Sequence, residues 1–228
     1  MIDRRAVMLG LGAGLVAPPA FAADEASPIA HGVLANNALA KAFEKSRHDL
    51  PDVTLIGPYG EFGTDTLKGR TILMPLWAEW CAPCLSEIPD FARLQAKYGT
   101  RHFTIMPVLT ASGRKLTPDL INNLFDILHA RALKPVVEKN FTGKLAAAMG
   151  RQGNSWALPC NLLIAPDGTV VAREVGKIAA PDAAAGATPP KPGDAETVTR
   201  AILGQAQSLW GKQEGEDFAA ALAAGFLG

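Results

Sequence analysis

Apolar and polar positions alternate along this chain in a way that separates short buried runs from amphipathic ones. "GRTILMPLW" (69–77) and "FTIMPVLT" (103–110) are continuous apolar runs between turn signals, and their shortness predicts strands covered on both faces. Between them, Leu85, Ile88, Phe91, Ala92 and Leu94 recur at helical spacing from Ala82 until Gly99 stops the pattern. Pro89 lies inside that helix and is expected to kink it. Thr117-Pro118-Asp119 is a strong helix start, with a capping hydroxyl, a proline in the first turn and an acid at the positive dipole end. That helix is expected to reach about Ala130, with Leu120, Ile121, Leu124 and Leu128 inward. A further helical turn or two is expected over 142–149, and a helix over 195–211 with Val198, Ile202, Gln205 and Leu209 inward.

Toward the N-terminus, Leu34, Ala38, Leu39, Ala42 and Phe43 predict a short helix within 31–47. "DVTLIGPYGEFGTD" reads as a hairpin around a Gly-Pro-Tyr-Gly turn, and "PCNLLIAPDGTVVAREVG" (159–176) as two strands about Pro-Asp-Gly. The stretch 177–194 is rich in Ala, Pro and Gly and reads as a loop; 216–227 is a short apolar segment. The order hairpin, strand, helix, strand, helix, hairpin, helix predicts an α/β fold: a mixed sheet flanked by helices, with the first hairpin as an N-terminal extension.

The first residues follow a different logic. Arg4 and Arg5 precede an apolar stretch from Ala6 to Ala17 and a small-x-small pattern at Ala20-Phe21-Ala22, the layout of an export signal. A run of about 12 residues is short of the roughly 20 needed to span a membrane, so no stable span is expected once the signal is cleaved. The paired arginines suggest the twin-arginine route beside the general one; no cysteine follows the apolar stretch to take a lipid anchor, and an uncleaved anchor stays open. The expected organisation is a signal over 1–22, an N-terminal extension with a short helix over 23–49, one domain over 50–212 and the apolar segment 213–228. With 228 residues, 48% of them hydrophobic, the chain can build that domain on its core alone. Its 22 basic and 22 acidic residues give no electrostatic case for nucleic acid as a partner.

Three cysteines are too few for a disulfide-built scaffold. Two of them, Cys81 and Cys84 in "WAEWCAPC", fall where the first strand gives way to the helix. Free amides and the helix dipole stabilise a thiolate there, which makes Cys81 the candidate nucleophile, and Cys84, one turn further in, the candidate resolving thiol. Pro83 removes an amide and stiffens the loop. A purely structural disulfide would close only a four-residue ring and stabilise little. A zinc site normally needs four ligands, and His31, His48, His102 and His129 are scattered without ligand spacing.

"ILMPLWAEWCAPCLSEIPDF" resembles the active-site stretch of thioredoxins, and of the TlpA/ResA-type periplasmic thiol–disulfide oxidoreductases in particular. The tryptophan-rich approach, the C-x-P-C pair and Pro89 carry that resemblance, as do Glu87, the leading "LPDVTLIG…LKGRTI", and "ALPCNLLIAPDGTVV". It implies a thioredoxin-like sheet and an exported, periplasmic protein-disulfide reductase in which Cys81 attacks and Cys84 resolves. It also implies a cis Pro159 against the cysteine pair, keeping Leu158 free to pair with a substrate backbone. Trp80, Ala82 and Pro83 would contact the substrate, and Trp77 would pack in the core. Partners would be disulfide-bearing proteins of cytochrome c or copper-site assembly and a membrane thiol-reductant donor; no cofactor is implied.

Two positions depart from that pattern. Pro75 stands where the relatives carry a buried acid or an asparagine, and proline in a buried strand removes a ladder donor. Glu79 and Glu87 are the nearest carboxylates, each read as a surface acid or as a proton acceptor acting through water. Cys160 replaces a threonine, and three readings stay open: an inert buried thiol, a third redox thiol, or the third ligand of a Cu(I) site with Cys81 and Cys84. The last is a different function, a copper chaperone. A further alternative is an interaction module that docks through 216–227.

Overall fold

The computed structural model describes residues 29–112, 116–152, 155–176 and 208–227. The signal over 1–22, the loop over 177–194 and all of the helix predicted over 195–211 except its last four residues lie outside the described residues; of those four, Leu209–Gly211 form a 3-10 turn. The apolar run predicted at 69–77 becomes the central strand, Thr71–Ala78. In chain order the elements are α1 (Ala38–Ala42), β1 (Glu44–His48), β2 (Thr54–Gly57), β3 (Gly60–Gly63), β4 (Thr71–Ala78), α2 (Ala82–Tyr98), β5 (Phe103–Ile105) and β6 (Val108–Ala111). They continue with α3 (Pro118–Ile127), β7 (Val136–Glu138), α4 (Lys144–Met149), β8 (Arg151–Gln152), β9 (Ser155–Trp156), β10 (Cys160–Ile164), β11 (Val170–Val175) and α5 (Gln213–Ala223).

Among the described residues the main sheet runs β1-β11-β10-β4-β6-β7-β2-β3, with β5 pairing β4 as well. β4 is parallel to β5 and β6, whereas β10 meets it antiparallel, so the sheet is mixed as the element order implies. All eight residues of β4 are buried, and its alternation feeds two cores. Leu73 and Trp77 join one core with the cysteine pair, Phe91 and Leu163; Ile72, Met74 and Leu76 join the other with Leu162, Leu145 and Met149.

Pro75 is tolerated in this central strand for a local reason. The Met106 amide donates to the Leu73 carbonyl at 2.9 Å, and two-residue alternation turns Pro75 toward the same neighbour. There the predicted single strand 103–110 is interrupted, with β5 ending at Ile105 and β6 starting at Val108. The amide that proline lacks falls opposite that break.

One expectation is narrowed and two are corrected. The short helix expected within 31–47 forms over Ala38–Ala42 and stops there, because Phe43 turns into the core against Trp210 and Phe218. The polar residues after it have no apolar stripe to extend and pair as β1 with β11. In α3, capped by the Thr117 hydroxyl, the buried stripe is Ile121, Phe125 and Leu128, while Leu120 is 52% exposed. The stripe follows i, i+4, i+7 from Ile121, which turns Leu120 outward. Finally, 216–227 is no docking surface: α5 lays Phe218, Ala219 and Leu222 against α1 and α2. Trp210, just before it, is buried among Phe43, Phe91 and Phe218.

Charged contacts close this layer. Glu216 on α5 receives Arg93 and Lys97 as ion pairs and the Tyr98 hydroxyl as a hydrogen bond, all from the last turns of α2. No helix among the described residues is long and apolar enough to cross a membrane.

Candidate redox site

β4 ends at Ala78, Glu79 and Trp80 turn the chain, and Cys81 caps α2. The Cys81 amide donates to the Ala78 carbonyl at 3.0 Å, and the Leu85 amide to the Cys81 carbonyl at 3.1 Å, so the corner is held by backbone bonds on both sides. Cys81 and Cys84 form a disulfide, with Cα atoms 5.3 Å apart. The Cys84 amide donates to the Cys81 sulfur at 3.3 Å. This donor belongs to the first turn of α2, where amides have no intrahelical partner. In the reduced protein it would favour a thiolate on Cys81. Both cysteines are buried; Ala82 and Pro83 between them are partly exposed.

The Leu158–Pro159 bond is cis. Cys160 pairs with Leu76, so continuing the register by one residue sets Pro159 beside Trp77, four residues before Cys81. Trp77 is core, at 1% exposure. Trp80 is 56% exposed and meets Trp156 with ring centroids 6.4 Å apart, Trp156 being 38% exposed. Trp156 is a site residue that sequence reasoning missed. Its signal was its place three residues before Pro159, in the stretch that carries the second landmark.

Cys160 is not brought to the pair. It is fully buried in the opposite core, against Leu76 and the α4 side of the sheet, whereas Cys81 and Cys84 belong to the α2 side. Strand alternation is the reason: Pro159 and Cys160 are consecutive, so their side chains leave opposite faces. Burial pushes the Cys160 thiol up to about 12, helped by the Glu174 carboxylate. The third-thiol and three-thiolate copper readings are thereby corrected in favour of an inert buried thiol. No group of three potential metal ligands is assembled among the described residues.

The carboxylates are placed differently from expectation. Glu87 is 1% exposed, one turn beyond Cys84 on the covered face of α2, so it is no surface acid; Glu79 is partly buried. On the same side of the sheet, Asn161 pairs with Pro75 on β4 and with Glu174 on β11. Its side-chain amide donates to Glu174 Oε2 at 2.7 Å. Burial pushes Glu174 up to about 8 from an ordinary 4.5; the Asn161 hydrogen bond opposes that shift and Glu44 adds to it.

No family model matches the chain. A thioredoxin from Coprinus comatus is 37% identical over 62 residues, which are 26% of this chain and 58% of that protein. The thiol–disulfide oxidoreductase ResA of Oceanobacillus iheyensis is 31% identical over 61 residues, 27% of this chain and 31% of the relative. The matches therefore span less than two thirds of either relative. A solved thiol:disulfide interchange protein of the thioredoxin family from Chlorobium tepidum is 24% identical, with a TM-score of 0.43 over 58% of this chain and 88% of that one. A mixed sheet flanked by helices, with a C-x-P-C disulfide opening a helix, gives this chain the thioredoxin-like fold, with thioredoxin and ResA among its sequence relatives.

Proposed function

We propose that the chain is a thiol–disulfide oxidoreductase that reduces disulfides of exported proteins. The observation that carries this reading is the Cys81–Cys84 disulfide at the start of α2. A cysteine pair so close in sequence contributes little to stability but suits exchange.

In the reduced state Cys81 is the thiolate. It attacks one sulfur of a target disulfide, forming a mixed disulfide and releasing the other target sulfur as a thiolate. Cys84 then gives up its proton and attacks Cys81, closing the intramolecular disulfide and expelling the second target sulfur. Two electrons leave the dithiol, and the target gains two thiols once protons are supplied. A thiol donor at the membrane restores the dithiol. Leu158, Trp80, Ala82 and Pro83 border the pair and offer a substrate its contact surface. The C-x-P-C loop, with proline rather than histidine before Cys84, favours reduction. Cytochrome c and copper-site assembly proteins are the target classes that the resemblance supports, and the N-terminal signal pattern supports a periplasmic location.

The test is a Cys84→Ser variant in the source organism, with mixed disulfides through Cys81 identified by mass spectrometry. Trapped exported proteins are expected; a variant that accumulates none overturns the exchange mechanism. A midpoint near about −120 mV would reverse the direction to oxidation.

A further inference from the structure

Glu174 is a buried carboxyl that the exchange mechanism leaves unused, and its place in the sheet gives it a role. Cys81, Cys84, Leu73, Trp77, Leu163 and Ala172 all belong to one core. Two-residue alternation puts Pro75, Asn161 and Glu174 on that same face, and the register makes them a row across β4, β10 and β11. The next row toward the site holds Trp77 and Pro159, at the end of β4 from which the chain turns into Cys81. Two strand spacings of ~4.8 Å, with the step between rows, set Glu174 on the order of 10–15 Å from the pair.

We propose that Glu174, held by Asn161, is a proton store linked to the Cys81–Cys84 couple, taking up part of a proton as the disulfide is reduced and releasing it as the disulfide forms. The inference rests on the oxidoreductase reading above. Reduction places a thiolate on Cys81 in the core that Glu174 faces. A unit charge at that range in a protein interior disfavours a second one by roughly one pKa unit. Glu174 is poised where such a change moves a proton, because burial already holds it near 8 in the disulfide state. The proton balance closes on the couple itself, which gains two electrons and one proton on Cys84 while Cys81 stays a thiolate; Glu174 adds a partial uptake, at most about half a proton near pH 8.5.

Asn161 suits this role. It is fully buried, its amide nitrogen donates to Glu174, and its Oδ1 has no hydrogen-bond partner among the described residues. A carboxamide serves either protonation state of a neighbouring acid, donating to the carboxylate or, turned over, accepting from the carboxyl proton. The ionisable groups that bear on Glu174 are Glu44 on β1 and its chain neighbour Arg173, which pairs with Glu44 at 3.6 Å; α2, the helix covering this core, carries the buried Glu87. Cys160 on the far face is neutral at physiological pH, and β4 contributes Pro75 and Trp77, neither of which titrates.

The experiment counts protons. Midpoint potentials of the full chain and of Glu174→Gln are measured in glutathione redox buffers from pH 6 to 10, and the slope gives protons taken up per electron pair. At about pH 8.5 the parent should take up roughly half a proton more than the variant, and near pH 6 the two should agree. Equal counts across the range overturn the inference while leaving the oxidoreductase reading intact. A disulfide that cannot be cycled at all overturns both. If Glu174→Gln fails to fold, the Glu174 carboxyl carbon is titrated by NMR in the oxidised and reduced parent. Its midpoint should rise by about one unit on reduction, and an unchanged midpoint refutes the store.

Discussion

With Cys81 and Cys84 joined, Cys160 is the one free thiol of a chain that holds three cysteines, so alkylation of the oxidised protein reports on it alone. An ordinary thiol at 9.0 is about one-tenth thiolate at pH 8; at about 12, Cys160 is thiolate in roughly one molecule in ten thousand. Ionisation alone therefore slows its reaction about a thousandfold, equivalent to ~4 kcal/mol, and its complete burial adds a steric barrier. The assay follows iodoacetamide incorporation at pH 8 by mass spectrometry, against a short cysteine peptide. Native oxidised protein should label at least a thousandfold more slowly than the peptide, and urea above the unfolding midpoint should restore the peptide rate. Labelling within tenfold of the peptide in the native state would refute the reasoning. It would return Cys160 to the site as a third redox thiol or a copper ligand.

Glu174 makes stability depend on pH. Its carboxyl is raised from 4.5 to about 8, so the folded state holds the proton more tightly; this contribution is complete below about pH 4.5 and lost as pH rises through about 8. Urea unfolding of the oxidised parent should lose stability relative to Glu174→Gln over that window, with a ceiling of about 5 kcal/mol, and a pH-independent difference would contradict it. Glu138 is 1% exposed and accepts from the hydroxyls of Thr110 and Thr142 and the amides of Lys144 and Leu145 at the start of α4. Glu138→Ala strands those donors and should cost about 3 kcal/mol or more in urea titrations; a loss under about 1 kcal/mol would show that the cluster is solvated instead. Trp80→Ala should lower kcat/KM for a protein disulfide severalfold and leave reduction of a small aromatic disulfide within about twofold. Equal losses on both substrates would mean that Trp80 tunes the thiol rather than contacting the partner.

Much of the site was legible because its parts are local in the chain. An apolar run, a cysteine pair and a helix start follow one another over residues 71–98, so spacing places β4, the corner and α2 correctly. The two strands about Pro-Asp-Gly are local in the same way. What stayed illegible depends on partners distant in sequence. Glu44–His48 carries no apolar period, and only pairing with β11 makes it a strand. Segment 216–227 has an apolar face that reads equally as a docking surface or as core, and α1 and α2 decide the matter. Cys160 lies beside Pro159 in sequence, yet alternation sends it to the other core. The Asn161–Glu174 pair needs the register of β10 on β11, which no local pattern specifies.

The grip of Glu216 on Arg93, Lys97 and Tyr98 bears on how the redox pair can move. It pins the far half of α2, while Phe91 lies against Trp210, so the helix behaves as a rod clamped at its base. Any adjustment that accompanies opening and closing of the disulfide then falls to the corner from Glu79 to Cys84 rather than to the body of the helix. A partner meets the redox pair on a rigid mount.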